Sequence, residues 1–325
     1  MSPSAPRLPA HVEAVARCPT CGGKLEYRSG AYVCRACEER GRARGLPVVQ
    51  GKPLLSRGSN EVFSVDRARE LSSAAQASRR RLRGGFAYRL YKRLLNANPV
   101  AERNAHRLLA LLDRGDRPAT ILEVGGGTPG PGSDLLRAAP GTDFISFDVY
   151  ASPHVDFLAD AHEIPLADGS VDAVWIQAVL EHVIDPRRAV EEIRRVLRDG
   201  GLVYAETPFM QQVHEGAFDF TRFTHSGHRW LFRDFSEVAS GEIAGAGSVL
   251  HWSIRYFFRT LTGSDTLARI AALPFFWLRF FDARGPRRKR LDAASAFYFL
   301  GRKSPRSVSE RELIAYYDDA VRARR

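Results

Sequence analysis

Cysteine is scarce. The chain has 4 in 325 residues, all between positions 18 and 37. Long apolar runs are also missing. The most apolar stretch, Ile270-Ala-Ala-Leu-Pro-Phe-Phe-Trp-Leu-Arg-Phe-Phe281, is too short to span a bilayer. Met1 to Ala10 is proline-rich and has no apolar core, so no secretory signal is read there. The expected location is cytoplasmic, at most peripheral to a membrane. Acidic residues are outnumbered, with 37 Asp and Glu against 48 Lys and Arg, a formal net charge of +11. That balance favours acidic partners such as nucleic acid, phosphorylated substrates or an anionic membrane surface. A solvated, arginine-rich surface explains it equally well. No ordered set of base-stacking aromatics is present, which weighs against RNA as the partner. The hydrophobic fraction, 44%, is ordinary for a globular protein, and the length allows a large core with a second small module.

The few cysteines are placed with purpose. Cys18-Pro-Thr-Cys21 and Cys34-Arg-Ala-Cys37 are two Cys-x-x-Cys turns with twelve residues between them. Each turn can present two thiolates to one ion, the pattern of a tetrahedral zinc site. Disulfides are the alternative, and a cytoplasmic location argues against them. Four cysteine ligands close the coordination sphere, so the expected role of Zn2+ is structural. A module this short has too small a core to fold well without its metal.

Ile121-Leu-Glu-Val-Gly-Gly-Gly-Thr-Pro-Gly130 organises the rest. It reads as a buried strand, a tight glycine turn and the approach to a helix at Ser133. Gly125, Gly126 and Gly127 let backbone come close to a ligand, and Glu123 at the strand end offers a carboxylate. Phe144-Ile-Ser-Phe-Asp148 is a second strand ending in a carboxylate, and Val171-Asp-Ala-Val-Trp-Ile176 a third. A helix from Pro186 to Arg198, Asp199-Gly200-Gly201 and the strand Leu202-Val-Tyr-Ala-Glu206 follow. This alternation predicts an α/β fold with a parallel, doubly wound sheet. A dinucleotide-binding domain shares these features. It prefers a strand running straight into Gly-x-Gly-x-x-Gly, and the late Asp-Gly-Gly and Leu180-Glu-His182 do not suit it.

Residues 120–210 resemble a class I S-adenosylmethionine-dependent methyltransferase of the broad type 11 group. The matching text is Leu-Glu-Val-Gly-Gly-Gly, Asp148, Asp160-Ala-x-x-Ile-Pro165, Leu180-Glu-His182 and Arg195-Val-Leu-Arg-Asp-Gly-Gly201. The resemblance implies a Rossmann-like seven-stranded sheet. It implies that Glu123 and the glycines surround the methionine part of the cofactor and that Asp148 accepts from the ribose hydroxyls. Asp160 and Ala161 would flank adenine. Gln177 completes the expected cofactor set. One departure stands out, since Pro129 occupies the family's last glycine position. The cysteine pairs followed by Leu46-Pro-Val-Val49 resemble the zinc ribbon of small methyltransferase-activator proteins. A similar ribbon heads some ribosomal RNA methyltransferases, which keeps RNA as an alternative substrate.

Residues 60–118 read as helical, with an aromatic and leucine stripe over Phe86 to Leu95 and a buried stripe at Leu108, Leu109 and Leu112. Past the fourth strand, Asp219-Phe-Thr-Arg-Phe-Thr-His225 resembles a stretch of type 11 methyltransferases that lies where acceptors enter. His182, His214 and Asp219 are therefore candidates for deprotonating an acceptor, and Arg222 and His225 for binding it. An Asp219–Arg222 salt bridge that merely fixes the loop is the competing reading. Ser248 to Thr262 has an amphipathic helical pattern, and the apolar stretch at 270–281 precedes Arg284-Gly-Pro-Arg-Arg-Lys-Arg290. This segment either packs on the domain, forms a homo-oligomer interface or lies on an anionic membrane surface. Ala294 to Lys303 reads as the last strand, expected at the antiparallel edge of the sheet.

The expected organisation is a zinc ribbon at 1–58, lead-in helices at 59–118, and a methyltransferase domain at 119–305. That domain carries a helical insertion at about 248–290, and a tail helix follows at 306–325. The expected function is methyl transfer to a small-molecule, sugar or lipid-linked glycan acceptor. RNA methylation is one alternative, and a non-catalytic methyltransferase partner is another.

Overall fold

The computed structural model describes residues 7–41, 45–57, 63–81, 98–112 and 115–322. The expected stripe over 86–95 lies outside them. Strands β1 (Glu26–Arg28) and β2 (Ala31–Val33) form one hairpin, and β3 (Val48–Val49) and β4 (Lys52–Pro53) another. The central sheet holds β5 (Ala119–Val124), β6 (Thr142–Asp148), β7 (Phe157–Leu158), β8 (Val171–Gln177), β9 (Leu197–Pro208), β10 (Phe235–Ala244) and β11 (Ala296–Lys303). Its seven strands run in the order β10-β11-β9-β8-β5-β6-β7. This is the expected Rossmann-like α/β sheet.

Strand β5 is buried along its whole length, as a strand covered on both faces must be. It pairs in parallel with β6, with Glu123 opposite Ser146 and Val124 opposite Phe147. The register brings the glycine turn after β5 beside Asp148 at the end of β6. β7 continues the parallel run through Asp148 and Leu158.

At the other side of the sheet the structure differs from the sequence reading. β11 is antiparallel to its neighbour, but the edge belongs to β10. Phe235-Ser-Glu-Val-Ala-Ser-Gly-Glu-Ile-Ala244 buries only Phe235 and Gly241. Such an edge strand lacks the apolar alternation by which a strand is recognised in sequence.

The chain divides into two compact units, residues 1–175 with 191–202, and residues 176–190 with 203–325. In the first unit the cysteine-bearing segment is bonded to the sheet. Leu54 bridges Leu158 in parallel, and the Leu55 N–H donates to the Leu158 carbonyl at 2.8 Å. Arg17 N–H donates to the Pro165 carbonyl at 2.8 Å, and Ala167 N–H to the Val15 carbonyl at 2.9 Å. The Arg57 guanidinium meets Glu163 at 2.6 Å. Val49, Leu54, Phe63, Ala68, Val155 and Leu158 share one small core. Helix Pro99–Leu111 leads into β5. Asn98 caps it by accepting the Ala101 N–H at 3.0 Å, and Pro99 follows at the position where a missing N–H costs nothing.

The second unit contains the helical insertion between β10 and β11. Its helices are Ala246–Thr262, Asp265–Ala272, the 3-10 segment Leu273–Phe281 and Arg287–Asp292. Leu250, Phe257, Leu261, Ile270, Trp277 and Phe280 are each about half exposed or more. Among the described residues no helix is long and apolar enough to cross a membrane. Helix Glu310–Arg322 follows β11.

Candidate functional site

In the first unit, two strand-end carboxylates face the glycine turn. Glu123 is almost fully buried, and its charge is met from three directions. Ser146 Oγ donates to its Oε2 at 3.0 Å, Arg137 Nη2 donates to the same oxygen at 3.1 Å, and Ser133 Oγ donates to Oε1. Asp148 is 9% exposed. Its Oδ2 accepts the Gly127 N–H at 2.8 Å and its Oδ1 the Val149 N–H at 2.6 Å. The Tyr150 amide also favours the ionised carboxylate, and the two oxygens together keep lone-pair capacity for a further donor. Burial pushes the Asp148 carboxyl up to about 6, against the pull of the Gly127 and Val149 amides.

The glycines are required by this arrangement. A Cβ on Gly126 would lie 2.0 Å from Ser146 Oγ and 2.3 Å from Glu123 Oε2. One on Gly127 would lie 2.5 Å from the Tyr150 ring and 2.6 Å from Asp148 Oδ2. The turn can therefore fold onto both carboxylates only without side chains. Tyr150 also meets Thr128 Oγ1 through its hydroxyl at 3.0 Å. This buried acceptor set under a close-packed turn suits a ligand that carries hydroxyl groups.

Asp160 and Ala161 are both buried. The Asp160 Oδ1 accepts the His162 N–H at 2.9 Å and lies 2.7 Å from the His162 ring nitrogen Nδ1. Ser133, Arg137, Tyr150 and His162 escaped the sequence reading. Their roles depend on which strand end they face, and a one-dimensional pattern does not carry that.

The four cysteines converge. Cys18 Sγ is 3.8 Å from Cys37, Cys21 is 3.4 Å from Cys34, and Cys37 is 3.5 Å from Cys21. None is in a disulfide. Four thiolates around one zinc, each at the usual ~2.3 Å, sit about 3.8 Å apart. The cluster fits that ion.

The second unit brings together most of the expected acceptor-side residues. Glu181 and His182 lie on the 3-10 turn Leu180–His182 that follows β8. His182 Nε2 is 3.6 Å from Glu181 Oε1, and His214 Nε2 is 3.9 Å from the same oxygen. The two rings are near-perpendicular, with centroids 5.0 Å apart. His182 Nδ1 donates to the Phe218 carbonyl at 2.8 Å, so Nε2 carries the lone pair. Burial holds the His182 pKa below its ordinary value. Asp219 accepts from Arg222 through both oxygens, with Nη2 to Oδ2 at 2.7 Å. Arg222 also donates to the Gln211 carbonyl at 3.1 Å, and Asp219 accepts the His214 N–H at 2.9 Å. The salt bridge therefore ties the loop together.

His225 is turned elsewhere. It is buried against Tyr316 and Phe297, with ring centroids at 5.0 and 5.3 Å. Gln177 Nε2 donates to Glu206 Oε2 at 2.8 Å, and Tyr204 donates to the other Glu206 oxygen.

Comparison with known proteins bears directly on the stretch that holds Asp148 and Asp160. Residues 133–205 match the family model described as a methyltransferase domain. This stretch, under a quarter of the chain, is similar to methyltransferase domains. The chain is 50% identical over 56 residues to a demethylmenaquinone methyltransferase of Paenarthrobacter aurescens, covering 17% of this chain and 22% of that protein. It is 38% identical over 97 residues to a protein of Mycobacterium tuberculosis named a probable S-adenosylmethionine-dependent methyltransferase, covering 27% and 35%. The chain thus spans only about a fifth to a third of the length of these relatives. Among solved structures, it is similar to a complex of the Haloferax volcanii Trm112 methyltransferase activator with a methyltransferase. That similarity has a TM-score of 0.43 at 19% identity and covers 72% of this chain and 98% of the other. It is also similar to a geranyl diphosphate C-methyltransferase of Streptomyces coelicolor, with a TM-score of 0.39 at 13% identity, covering 62% and 77%.

Proposed function

We propose that this chain is an S-adenosylmethionine-dependent methyltransferase acting on a small-molecule acceptor. The supporting observation is Asp148 at the end of β6, within the stretch that matches the methyltransferase family, buried and bonded to the Gly127 amide at 2.8 Å. Asp148 has the lone pairs to accept vicinal ribose hydroxyls. Glu123 and the glycine turn would line the methionine part, and Asp160 and Ala161 the adenine. The bound cofactor supplies a methyl group already made electrophilic by its sulfonium. The chain's own work is then to hold the cofactor, to orient the acceptor and to exclude water. His182 and His214 are the groups proposed to take a proton from an acceptor hydroxyl, with Asp219 orienting His214. The match to a demethylmenaquinone methyltransferase supports a small-molecule acceptor. Sugars and lipid-linked glycans belong in the same screen. RNA comes after them, and its binding would fall steeply with salt.

The four-cysteine cluster is proposed to hold a structural zinc, which accords with a reducing, cytoplasmic location. The exposed apolar residues of the insertion, flanked by exposed Arg269, Arg284 and Lys289, are proposed to rest on an anionic membrane surface. Co-sedimentation with phosphatidylglycerol vesicles, lost in Trp277→Ser with Phe280→Ser, would support that contact. Equal sedimentation of the variant would remove it.

The deciding experiment is calorimetric titration of the zinc-loaded protein with S-adenosylmethionine, beside Asp148→Ala. Binding that the variant loses supports the reading. No binding by the unmodified chain overturns it and favours a non-catalytic partner.

A further inference from the structure

We propose that Glu181, His182 and His214 form a binding site for a divalent transition-metal cation, distinct from the four-cysteine cluster. The three residues each offer one ligand atom, and these atoms all lie within 4.8 Å of one another. The separations from Glu181 Oε1 are 3.6 Å to His182 Nε2 and 3.9 Å to His214 Nε2. Donors sharing one cation with bonds of about 2.1 Å stand roughly 3.0–3.4 Å apart. A contraction of a few tenths of an ångström brings each histidine nitrogen to that spacing from the carboxylate.

The orientation of the rings suits ligation. Each histidine turns Nδ1 to protein and Nε2 toward the carboxylate. His182 Nδ1 donates to the Phe218 carbonyl at 2.8 Å. His214 Nδ1 lies 3.4 Å from Asp219 Oδ2, which is itself held by Arg222. Metal-binding histidines are commonly fixed in this way, by a carbonyl or carboxylate on the outer nitrogen.

Glu181 supplies the independent observation. It is 1% exposed, and neither carboxylate oxygen has a hydrogen-bond partner among the described residues. A buried carboxylate with no donor is costly, and a protein normally meets that cost with a proton, a hydrogen bond or a cation. The histidine nitrogens at 3.6 and 3.9 Å are too far for a hydrogen bond. A divalent ion between the three groups would satisfy both the carboxylate and the two imidazole lone pairs. The main chain holds the carboxylate in place. The Phe220 N–H donates to the Glu181 carbonyl at 2.8 Å, which locks the 3-10 turn to the loop that carries Asp219 and Arg222.

Two imidazoles and one carboxylate suit manganese, iron, cobalt or zinc better than magnesium or calcium. Three protein ligands leave coordination positions open. On the methyl-transfer reading, an open position would take the acceptor's hydroxyl oxygen and lower its pKa, the proton passing to solvent; with the ion bound, this would replace the direct base role proposed for His182 and His214.

The test is Mn2+ titration of the full-length, zinc-loaded protein, followed by the electron paramagnetic resonance signal of free Mn2+. Manganese competes poorly for thiolates, so the cysteine cluster stays silent. One Mn2+ should bind per chain, with affinity falling at least tenfold in Glu181→Gln and in His214→Ala. Melting without added metal should be unchanged or higher in Glu181→Gln, because a buried carboxyl whose oxygens lack a hydrogen-bond partner has gone. Mn2+ should raise the melting temperature of the unmodified protein only. No Mn2+ binding, or equal binding by both variants, overturns the site. Cofactor titration is read separately, so loss of the cation site and loss of the methyltransferase reading remain distinguishable.

Discussion

Arg222 closes on Asp219 with two guanidinium nitrogens, one bond measuring 2.7 Å. The pair ties three parts of one loop together, because Arg222 also holds the Gln211 carbonyl and Asp219 the His214 amide. The guanidinium holds the Asp219 carboxyl down at about 2. A carboxyl depressed from its ordinary 3.8 contributes stability that is complete above that value and lost as pH falls toward 2. Asp219→Asn should therefore be less stable at pH 7 by about 3 kcal/mol, since it leaves Arg222 uncompensated. The difference should shrink below pH 4. Urea unfolding at pH 7 and pH 3 checks both statements.

Asp148 behaves in the opposite sense. Its carboxyl is raised to about 6, so the unliganded fold gains stability as pH falls from 6 toward the ordinary 3.8. Asp148→Asn should then be at least as stable as the unmodified chain at pH 7. Cofactor affinity should run the other way, falling as pH drops through about 6 in the unmodified protein. It should be weak and flat with pH in the variant. Calorimetry between pH 5 and pH 8 separates the two.

Gly127→Ala places a methyl group 2.5 Å from the Tyr150 ring and 2.6 Å from Asp148 Oδ2. The turn must shift away from both. Overpacking of this kind costs about 1–3 kcal/mol. The chain should remain folded, with cofactor affinity reduced at least tenfold. Thermal melting beside calorimetry checks the prediction, and unchanged affinity would show that the turn does not face the cofactor.

The cysteine-bearing segment is bonded to Leu158, Pro165 and Glu163, which bracket Asp160 and Ala161. Removing the zinc proposed for the four-cysteine cluster should therefore reach the segment that carries Asp160 and Ala161. A zinc-sensitive dye should record one zinc released per chain on treatment with a mercurial. Cys34→Ser should lower the melting temperature and weaken cofactor binding together. Full cofactor affinity in a zinc-free, folded chain would show the segment to be energetically separate.

Where the signal is local, the sequence alone was sufficient. Two Cys-x-x-Cys turns specify a four-thiolate cluster because each tight turn fixes two sulfurs. The run Ile121 to Val124 specifies a central strand because a short, mostly apolar run before a glycine turn is what a strand covered on both faces needs, with Glu123 its one charge. Glycines after a strand-end acid specify a turn that packs closely. The Asp219–Arg222 pair, three residues apart, was legible as a salt bridge for the same reason. Tertiary structure decided whatever depends on which distant segments meet. It placed Ser133, Arg137 and Ser146 on Glu123, and it gave the sheet edge to β10, whose exposed residues carry no strand period. It buried His225 against Tyr316, 91 residues away. It also set His214 beside Glu181 and His182 across a gap of more than thirty residues. Residue type makes a histidine a ligand, a base or part of the core with equal ease, and its surroundings choose among them.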